Sequence, residues 1–196
     1  MNTKYFWICG KHCVKSAILN KKRKIVKIVT TRKNRFLDEN KFKYEIVNKF
    51  FFEKNFKNTS HQNIAAQVGY LQITEFKNKL DKINNFKNIV ILDKITDTGN
   101  IGNILRSCVM FNIDAVIFEK RIFKQDSLNM IKNASGAVDV IDIITTSNIL
   151  NTIKILKNKN FWVTSIDING TQVLNEYKWS DKNVIIFVSE QKGIGN

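Results

Sequence analysis

Ile89-Val90-Ile91-Leu92-Asp93, followed after a short turn by Asp97-Thr98-Gly99-Asn100-Ile101-Gly102-Asn103-Ile104-Leu105-Arg106-Ser107, is the stretch that decides the fold. The first run is apolar up to its final aspartate and predicts a buried strand, whereas the second has the glycines of a turn and then the residues of a helix. In α/β proteins, a strand, a turn and a helix in this order present polar groups at the carboxyl edge of a sheet. We therefore expect the functional site at that edge.

Two polar residues of this stretch are candidates for chemistry. Asn100 stands where the turn passes into the helix, so its side chain either caps free backbone amides or contacts a ligand, and the sequence leaves both open. Arg106 lies four residues after Gly102 and is expected to project from the first turns of the helix toward the same edge. A guanidinium there suits a phosphate or a developing oxyanion, although a lone arginine is more often a solvated or ion-paired surface group.

The glycines of the stretch have a separate role. Gly99 and Gly102 allow a ligand or a neighbouring strand to come close to the backbone. No Gly-Lys-Ser/Thr follows them and Gly-x-Gly-x-x-Gly is absent, so the stretch is neither a P-loop nor a dinucleotide-binding fingerprint.

From residue 86 onward, apolar strands alternate with helices. Strands are predicted near residues 89–93, 114–119, 138–144, 161–167 and 183–189, and helices near 101–111, 126–133 and 147–157. This alternation is typical of a parallel sheet that is covered on both faces. The fold class is therefore α/β.

The first 80 residues form a different module. They mix short strands, such as Tyr5-Phe6-Trp7-Ile8 and Ile25-Val26-Lys27-Ile28-Val29, with helices predicted at 14–19 and 42–52. Three consecutive aromatics, Phe50-Phe51-Phe52, are interpreted as core rather than as a surface for stacking RNA bases. We predict a domain at 1–80, a polar linker at 81–88 and a second domain at 89–196.

Positive charge is concentrated in the first 60 residues. The formal net charge is +15; residues 1–60 hold 16 Lys and Arg against 4 Asp and Glu, and residues 61–196 hold 16 against 13. This asymmetry predicts a basic module that binds a polyanion such as nucleic acid, with lysine-rich solvated faces as the alternative. The residues that we expect to contact RNA phosphates are Lys11, Lys21, Lys22, Arg23, Lys24, Arg32, Lys33 and Arg35.

The cysteines and the hydropathy of the sequence predict the cellular compartment of the protein. Cys9, Cys13 and Cys108 are odd in number and form no Cys-x-x-Cys pair. Zinc needs four ligands and the chain offers only two histidines, so we expect free thiols and no metal. No stretch approaches roughly 18 apolar residues and the amino terminus lacks a signal-peptide pattern, which predicts a cytoplasmic protein with no membrane partner.

Residues 92–107 resemble the first motif of the TrmH (SpoU) branch of the knotted SPOUT RNA methyltransferases. That motif reads Leu-Asp-x-x-x-Asp-Pro-x-Asn-x-Gly-x-x-x-Arg-Ser, and Thr98 occupies the proline position. Residues 133–143 resemble the Ser-x-Gly-Ala segment of the family and the strand after it. Residues 185–194 resemble its second motif, Gly-x-Glu-x-x-Gly, which here begins with Val188.

The basic module resembles the substrate-binding domain attached to ribosomal-RNA members of that family, a small α/β fold like ribosomal protein L30e. Gly10-Lys11-His12-Cys13-Val14 resembles its opening Gly-x-His-x-Val. Ser60-His61-Gln62-Asn63-Ile64-Ala65-Ala66 resembles its closing His-Gln-Gly-Ile-Ala, with Asn63 in place of glycine. The two histidines are interpreted as markers of this domain, with a packing role.

The resemblance implies methyl transfer from S-adenosylmethionine to a ribose 2′-hydroxyl of structured RNA, with large-subunit (23S) ribosomal RNA favoured over transfer RNA. It implies that Arg106 activates the hydroxyl and that Asn100 orients the substrate. Cofactor binding would fall to Glu190, Gly193 and Ile194, in an active site built across a homodimer.

Two departures from the family pattern bear on activity. The third motif, which contains Ser-Leu-Asn, lies beyond motif two in the family, and this chain stops at Asn196. Val188 replaces a glycine, and a β-branched side chain would crowd the cofactor. We therefore expect a chain that ends before motif three, with an incomplete knot and weak cofactor binding. A noncatalytic RNA-binding protein, or the remnant of a split gene, is the alternative.

Overall fold

The computed structural model describes residues 5–57, 59–167, 170 and 172–189, and the chain divides into two compact units. The first unit comprises residues 1–72, 102–106 and 125–140. The second comprises 73–101, 107–124 and 141–196. None of the helices in the described residues is long and apolar enough to span a membrane.

The first unit is built on a four-stranded sheet with the order β1-β4-β2-β3. Its strands are β1 (Tyr5–Cys9), β2 (Ile25–Thr30), β3 (Glu45–Ile46) and β4 (Ile64–Gly69). β4 is antiparallel to β1 and β2, whereas β3 is parallel to β2. The helices of this unit are α1 (Lys11–Leu19), α2 (Arg35–Glu39), α3 (Lys49–Asn55), and, from later in the chain, α6 (Leu128–Ala134) and a 3-10 turn at Ala137–Asp139.

Both faces of this sheet are covered. Successive residues of β4 face opposite sides of the sheet, so that Ala66 belongs to one core and Ala65 to the other. Leu37 of α2 lies in the first core together with residues of α1, and Phe52 of α3 lies in the second. Phe52 is fully buried, as predicted, but Phe50 is 66% exposed.

The second unit is built on a six-stranded sheet with the order β5-β8-β7-β6-β10-β9, and all five strand pairings are parallel. Its strands are β5 (Thr74–Glu75), β6 (Asn88–Asp93), β7 (Ala115–Glu119), β8 (Asp142–Thr146), β9 (Trp162–Ile166) and β10 (Asn183–Val188). The other helices are α4 (Leu80–Ile83), α5 (Thr98–Met110) and α7 (Ile149–Asn158), with 3-10 turns at Phe76–Lys79 and Leu174–Glu176. The α/β class and the parallel sheet are confirmed.

One hydrophobic core of the second unit lies on one face of this sheet, and Val90, Val116 and Phe118, which alternate with its residues along the strands, are buried as well. Ile89, Ile91 and Ile117 pack there with Leu156 of α7, all fully buried. Ile83 belongs to the same core, although it lies inside the segment that the sequence predicted as a polar linker. The boundaries of the two predicted domains stay a prediction.

Two predicted elements are wrong. The strand expected at 138–144 begins only at Asp142, because Ser135 and Gly136 both have positive φ, 49° and 93°, and turn the chain into a 3-10 turn first. The helix expected at 42–52 begins only at Lys49, where the side chain of Asn48 accepts a hydrogen bond from the Phe51 N–H and caps it. The residues before Asn48 include β3 instead.

Candidate active site and nucleic-acid interface

A crevice is expected between the carboxyl ends of β6 and β10. From β6 the chain proceeds through β7 to β8 on one side, whereas β9 and β10 lie on the other side. The strand order therefore reverses between β6 and β10, and ligands of parallel α/β sheets bind at such a reversal. The Ser189 N–H donates to the Asp93 carbonyl at 3.2 Å, so the two strands remain joined as far as this edge.

The turn after β6 carries strain and then a helix cap. Lys94 has a φ of 56°, a left-handed conformation that is uncommon for lysine. The Asp97 carboxylate accepts a hydrogen bond from the Asn100 N–H at 2.7 Å, so α5 begins at Thr98, three residues earlier than predicted. Capping is therefore the role of Asp97. The side chain of Asn100 is exposed and has no hydrogen-bond partner among the described residues.

Gly102 serves helix packing. A Cβ at this position would lie 2.6 Å from the carbonyl oxygen of Met130 and 2.9 Å from the backbone nitrogen of Ala134, both on α6. Only a glycine allows α5 and α6 to approach so closely. The neighbour of Gly102 is thus a helix rather than the ligand or strand that the sequence suggested.

Arg106 lies on the exposed stripe of α5. Asn100, Asn103 and Arg106 follow one another at a spacing of three, and all three are exposed. Arg106 stands about 12 Å along the axis from the start of the helix, and not in the first turns as predicted. Within the described residues its guanidinium has no hydrogen-bond or ion-pair partner, so it is available to a ligand.

The three predicted cofactor residues, Glu190, Gly193 and Ile194, lie outside the described residues. In the sequence, Glu190 comes directly after Ser189, the last described residue. Their roles stay a prediction.

A second site lies at one end of the four-stranded sheet. Because β4 is antiparallel to β1 and β2, the start of β4 lies beside the ends of both strands, with Ile64 paired to Thr30 and Ala65 to Cys9. At this end the structure has an open cleft of about 530 Å³. It is lined by the start of α1, the residues from the end of β2 into α2, and the turn before β4.

Five cationic side chains line this cleft, and no acidic residue is among its described lining residues. They are Lys11, Lys15, Arg32, Lys33 and Arg35. Lys15 was missed by sequence reasoning, although it follows Lys11 by four residues and so shares its face of a helix. The other four were predicted to contact RNA, and the fold brings them together.

Two features explain the shape of the turn before β4. Gln62 and Asn63 have positive φ values of 51° and 58°. Asparagine tolerates this conformation better than most residues, which explains how Asn63 can stand where the family pattern has glycine. The Gln62 side-chain oxygen accepts a hydrogen bond from the Lys11 N–H at 2.8 Å and joins the turn to α1.

The remaining predicted RNA contacts lie elsewhere. Lys21, Lys22 and Lys24 are exposed but do not line the cleft. Arg23 is only 6% exposed; its Nε and Nη2 donate to the two carboxylate oxygens of Asp139, at 2.7 and 3.2 Å, and its Nη1 donates to the Gly69 carbonyl at 2.8 Å. We therefore remove Arg23 from the RNA-binding set, because its donors are already engaged inside the protein.

The histidines and cysteines of the described residues form no metal cluster. His61 stacks on Phe52 with ring centroids 4.9 Å apart, and its Nδ1 accepts the Asn63 N–H at 3.1 Å, which is a packing role. Burial raises the pKa of the Cys9 thiol to about 11 and those of Cys13 and Cys108 to about 12. All three thiols are therefore protonated and unreactive near neutral pH.

Comparison with known families covers most of the chain. A model described as the SpoU rRNA Methylase family matches residues 87–196, and one described as RNA 2′-O ribose methyltransferase substrate binding matches residues 7–74.

Relatives of known sequence carry similar names. An uncharacterised tRNA/rRNA methyltransferase of Borreliella burgdorferi is 34% identical in an alignment 152 residues long, which covers 72% of this chain and 66% of that protein. A Staphylococcus epidermidis protein assigned by its name to the TrmH family of tRNA/rRNA methyltransferases is 30% identical over 140 residues, which are 70% of this chain and 56% of that protein. The chain thus spans less than two thirds of the length of each.

Solved structures share the fold. The AdoMet-bound rRNA methyltransferase of Sinorhizobium meliloti superposes with a TM-score of 0.75 at 19% identity, over 98% of this chain and 74% of that one. An RNA 2′-O ribose methyltransferase superposes with a TM-score of 0.76 at 14% identity, again over 98% of this chain and 74% of that one.

Proposed function

Because this chain belongs to the SpoU rRNA methylase family, we propose that it is an S-adenosylmethionine-dependent enzyme that methylates a ribose 2′-hydroxyl of ribosomal RNA. The observation that carries the proposal is the exposed Arg106, which has no partner among the described residues, on the helix that follows the crevice strand β6. We further propose large-subunit (23S) RNA as the substrate, a homodimer as the active form and the cytoplasm as its compartment.

The described part of the crevice fits such a cofactor. Ile166 and Phe187 are paired at the carboxyl ends of β9 and β10 and are half-buried. They offer apolar surface to a purine or a thioether chain at the edge where parallel sheets bind ligands. Glu190, Gly193 and Ile194 would hold the cofactor, which supplies an electrophilic methyl group when bound.

The residues of α5 act on the RNA. Arginine stays protonated at physiological pH, so Arg106 donates hydrogen bonds to the 2′-oxygen and stabilises its negative charge as the hydroxyl proton leaves. That oxygen would take up the methyl group that the bound cofactor supplies, and its proton would pass to solvent water. The exposed amide of Asn100 holds a neighbouring group of the nucleotide, which orients the oxygen for in-line attack.

The basic cleft binds the RNA backbone. No acidic residue is among its described lining residues, and of its five cations only Arg35 forms an ion pair within the described residues, with the exposed Glu39, so the charge of the other four is available to phosphates. None of the described residues that line this cleft belongs to α5. RNA binding in the cleft therefore does not depend on methyl transfer. That separation favours a noncatalytic RNA-binding protein as the second candidate function.

The test is transfer of tritium from methyl-labelled S-adenosylmethionine to transcripts of large-subunit ribosomal RNA, with transfer RNA as the comparison substrate. Arg106→Ala should lower the rate about a hundredfold or more, because a charge-stabilising donor is removed. Its stability and its affinity for RNA should stay close to wild type, since the side chain is exposed.

Two outcomes would contradict the proposal. Wild-type chain that binds both RNA and S-adenosylmethionine and still transfers no label would establish the noncatalytic alternative. Full activity of Arg106→Ala would remove Arg106 from the chemistry. Calorimetric titration with the cofactor, in wild type and variant, distinguishes a lost chemical step from lost cofactor binding.

A further inference from the structure

The basic cleft has more than positive charge. Beneath the cationic side chains lies an apolar floor of Val14, Phe36 and Ile64, of which Val14 and Ile64 are buried and Phe36 is half-buried. The ammonium group of Lys15 lies 5.3 Å from the ring centroid of Phe36 and links the floor to the charged rim. A surface that contacted only a sugar-phosphate backbone would need the rim and not the floor.

Amide groups complete the lining. The side-chain oxygen of Gln62 is engaged by the Lys11 N–H, so its amino group is left to donate outward. The amide of Asn63 has no hydrogen-bond partner among the described residues and supplies both a donor and an acceptor. Such groups recognise the polar edges of a nucleobase.

We propose that this cleft holds one unpaired nucleotide of the RNA, with its base against the apolar floor, its edge on the amides and its phosphate on the rim. This inference rests on the proposed function only in taking RNA as the ligand. A volume of about 530 Å³ is that of a small-ligand site, whereas a double helix is too wide to enter and would lie across the rim. Unpaired nucleotides expose the base edges and faces that a duplex hides.

The first experiment compares two RNAs of equal length and charge, a hairpin with an unpaired loop and the same stem fully paired. Fluorescence anisotropy with the full chain should show about tenfold tighter binding of the hairpin, the scale of one stacked and hydrogen-bonded base. Equal affinities would overturn the inference and leave RNA binding intact. Binding to neither RNA would contradict the proposed function as well.

A matched pair of variants localises the effect. Arg32→Gln with Lys33→Gln removes two charges inside the cleft, and Lys21→Gln with Lys22→Gln removes two outside it. Both pairs should weaken duplex binding to a similar extent, because each lowers the net charge by two. Only the first pair should abolish the preference for the hairpin; loss of that preference in both would overturn the assignment to this cleft.

Asn63→Gly tests the amide without disturbing the turn. Glycine adopts a φ of 58° without strain, so the variant keeps the backbone and removes only the side chain. The preference for the hairpin should fall about fivefold, while duplex binding and thermal stability stay unchanged. An unchanged preference would show that Asn63 does not contact the base.

A final measurement tests whether the cleft binds a nucleotide within an RNA strand or a free nucleotide. Adenosine and uridine monophosphate are added as competitors to the labelled hairpin complex. Millimolar concentrations should be needed for displacement, because a free nucleotide lacks the contacts of its neighbours along the strand. Displacement at the concentration at which unlabelled hairpin competes would identify a free-nucleotide site and overturn the inference.

Discussion

Two basic segments of the first unit look alike in the sequence and differ in the fold. Lys21-Lys22-Arg23-Lys24 contains an arginine that is buried against Asp139, whereas Arg32 and Lys33, a few residues later, are exposed and line an open cleft. Charge density alone would assign both segments to RNA. The comparison shows that a basic side chain stabilises the fold where the fold places a carboxylate beside it. Where no carboxylate lies beside it, the side chain is available to bind a ligand.

That acid comes from far along the chain. Asp139 lies 116 positions after Arg23 and also accepts a hydrogen bond from the Asn20 side chain. It belongs to the 3-10 turn that follows Gly136, where a Cβ would meet the Ser16 hydroxyl at 2.5 Å. The close packing of this turn on α1 therefore carries the carboxylate to Arg23. In the part of the chain that the structure describes, no carboxylate forms an ion pair with Arg32 or Lys33.

The largest expected difference between the two segments is in stability. Arg23→Ala should lower the free energy of unfolding by about 3–5 kcal/mol, because Asp139 would remain buried without its partner. Arg32→Ala removes the same atoms from an exposed site and should change it by less than about 0.5 kcal/mol. Urea-induced unfolding followed by circular dichroism measures both; similar losses would abolish the distinction between the two arginines.

The next difference is in the salt dependence of RNA binding. Lys33→Gln should reduce the slope of log affinity against log salt concentration by about one, because one phosphate contact is lost. Arg23→Lys keeps its charge inside the protein and should leave that slope as it is in wild type. A titration of affinity between low and moderate salt decides this, and an altered slope in Arg23→Lys would return that residue to the RNA-binding set.

The smallest effects on stability and RNA affinity are expected at Arg35, which has an acidic partner and is nevertheless exposed in the cleft. Its Nε donates to the Glu39 carboxylate at 2.7 Å, yet its side chain is 91% exposed and lines the cleft. Glu39→Gln should cost less than about 0.5 kcal/mol of stability, as is usual for an exposed ion pair. RNA affinity should rise slightly, because one negative charge beside the cleft is removed; a fall in affinity would show that Glu39 holds Arg35 in its binding position.

The second unit could be predicted well where apolar runs are long. β6, β7 and β10 lie close to their predicted positions because each is a run of apolar residues with no competing pattern. The start of α5 could not be fixed, since Asp97 and Asn100 are both good capping residues and only the backbone decides between them. The strand at 138–144 was misplaced because nothing local marks Ser135 as left-handed.

The cleft could not have been predicted as one site. Its lining comes from three separate segments, and antiparallel pairing of β4 with its neighbours is what brings them together. The sequence indicated four of the five basic residues, and the family resemblance included the motif that contains Asn63. It could not show that Arg23 turns inward, because that depends on a partner more than a hundred residues away.

The strand order of the second unit sets the sequence of events in its folding. β10 lies between β6 and β9, and its first residue, Asn183, donates a side-chain hydrogen bond to Asn88, 95 positions earlier. While the chain is being synthesised, β5 to β8 can pair, but one edge of β6 stays open until β10 emerges. Pairings between such distant segments form slowly, and an open apolar edge can pair with another chain in the meantime. Substitutions that delay β10 should therefore reduce the yield of folded protein before they reduce its final stability.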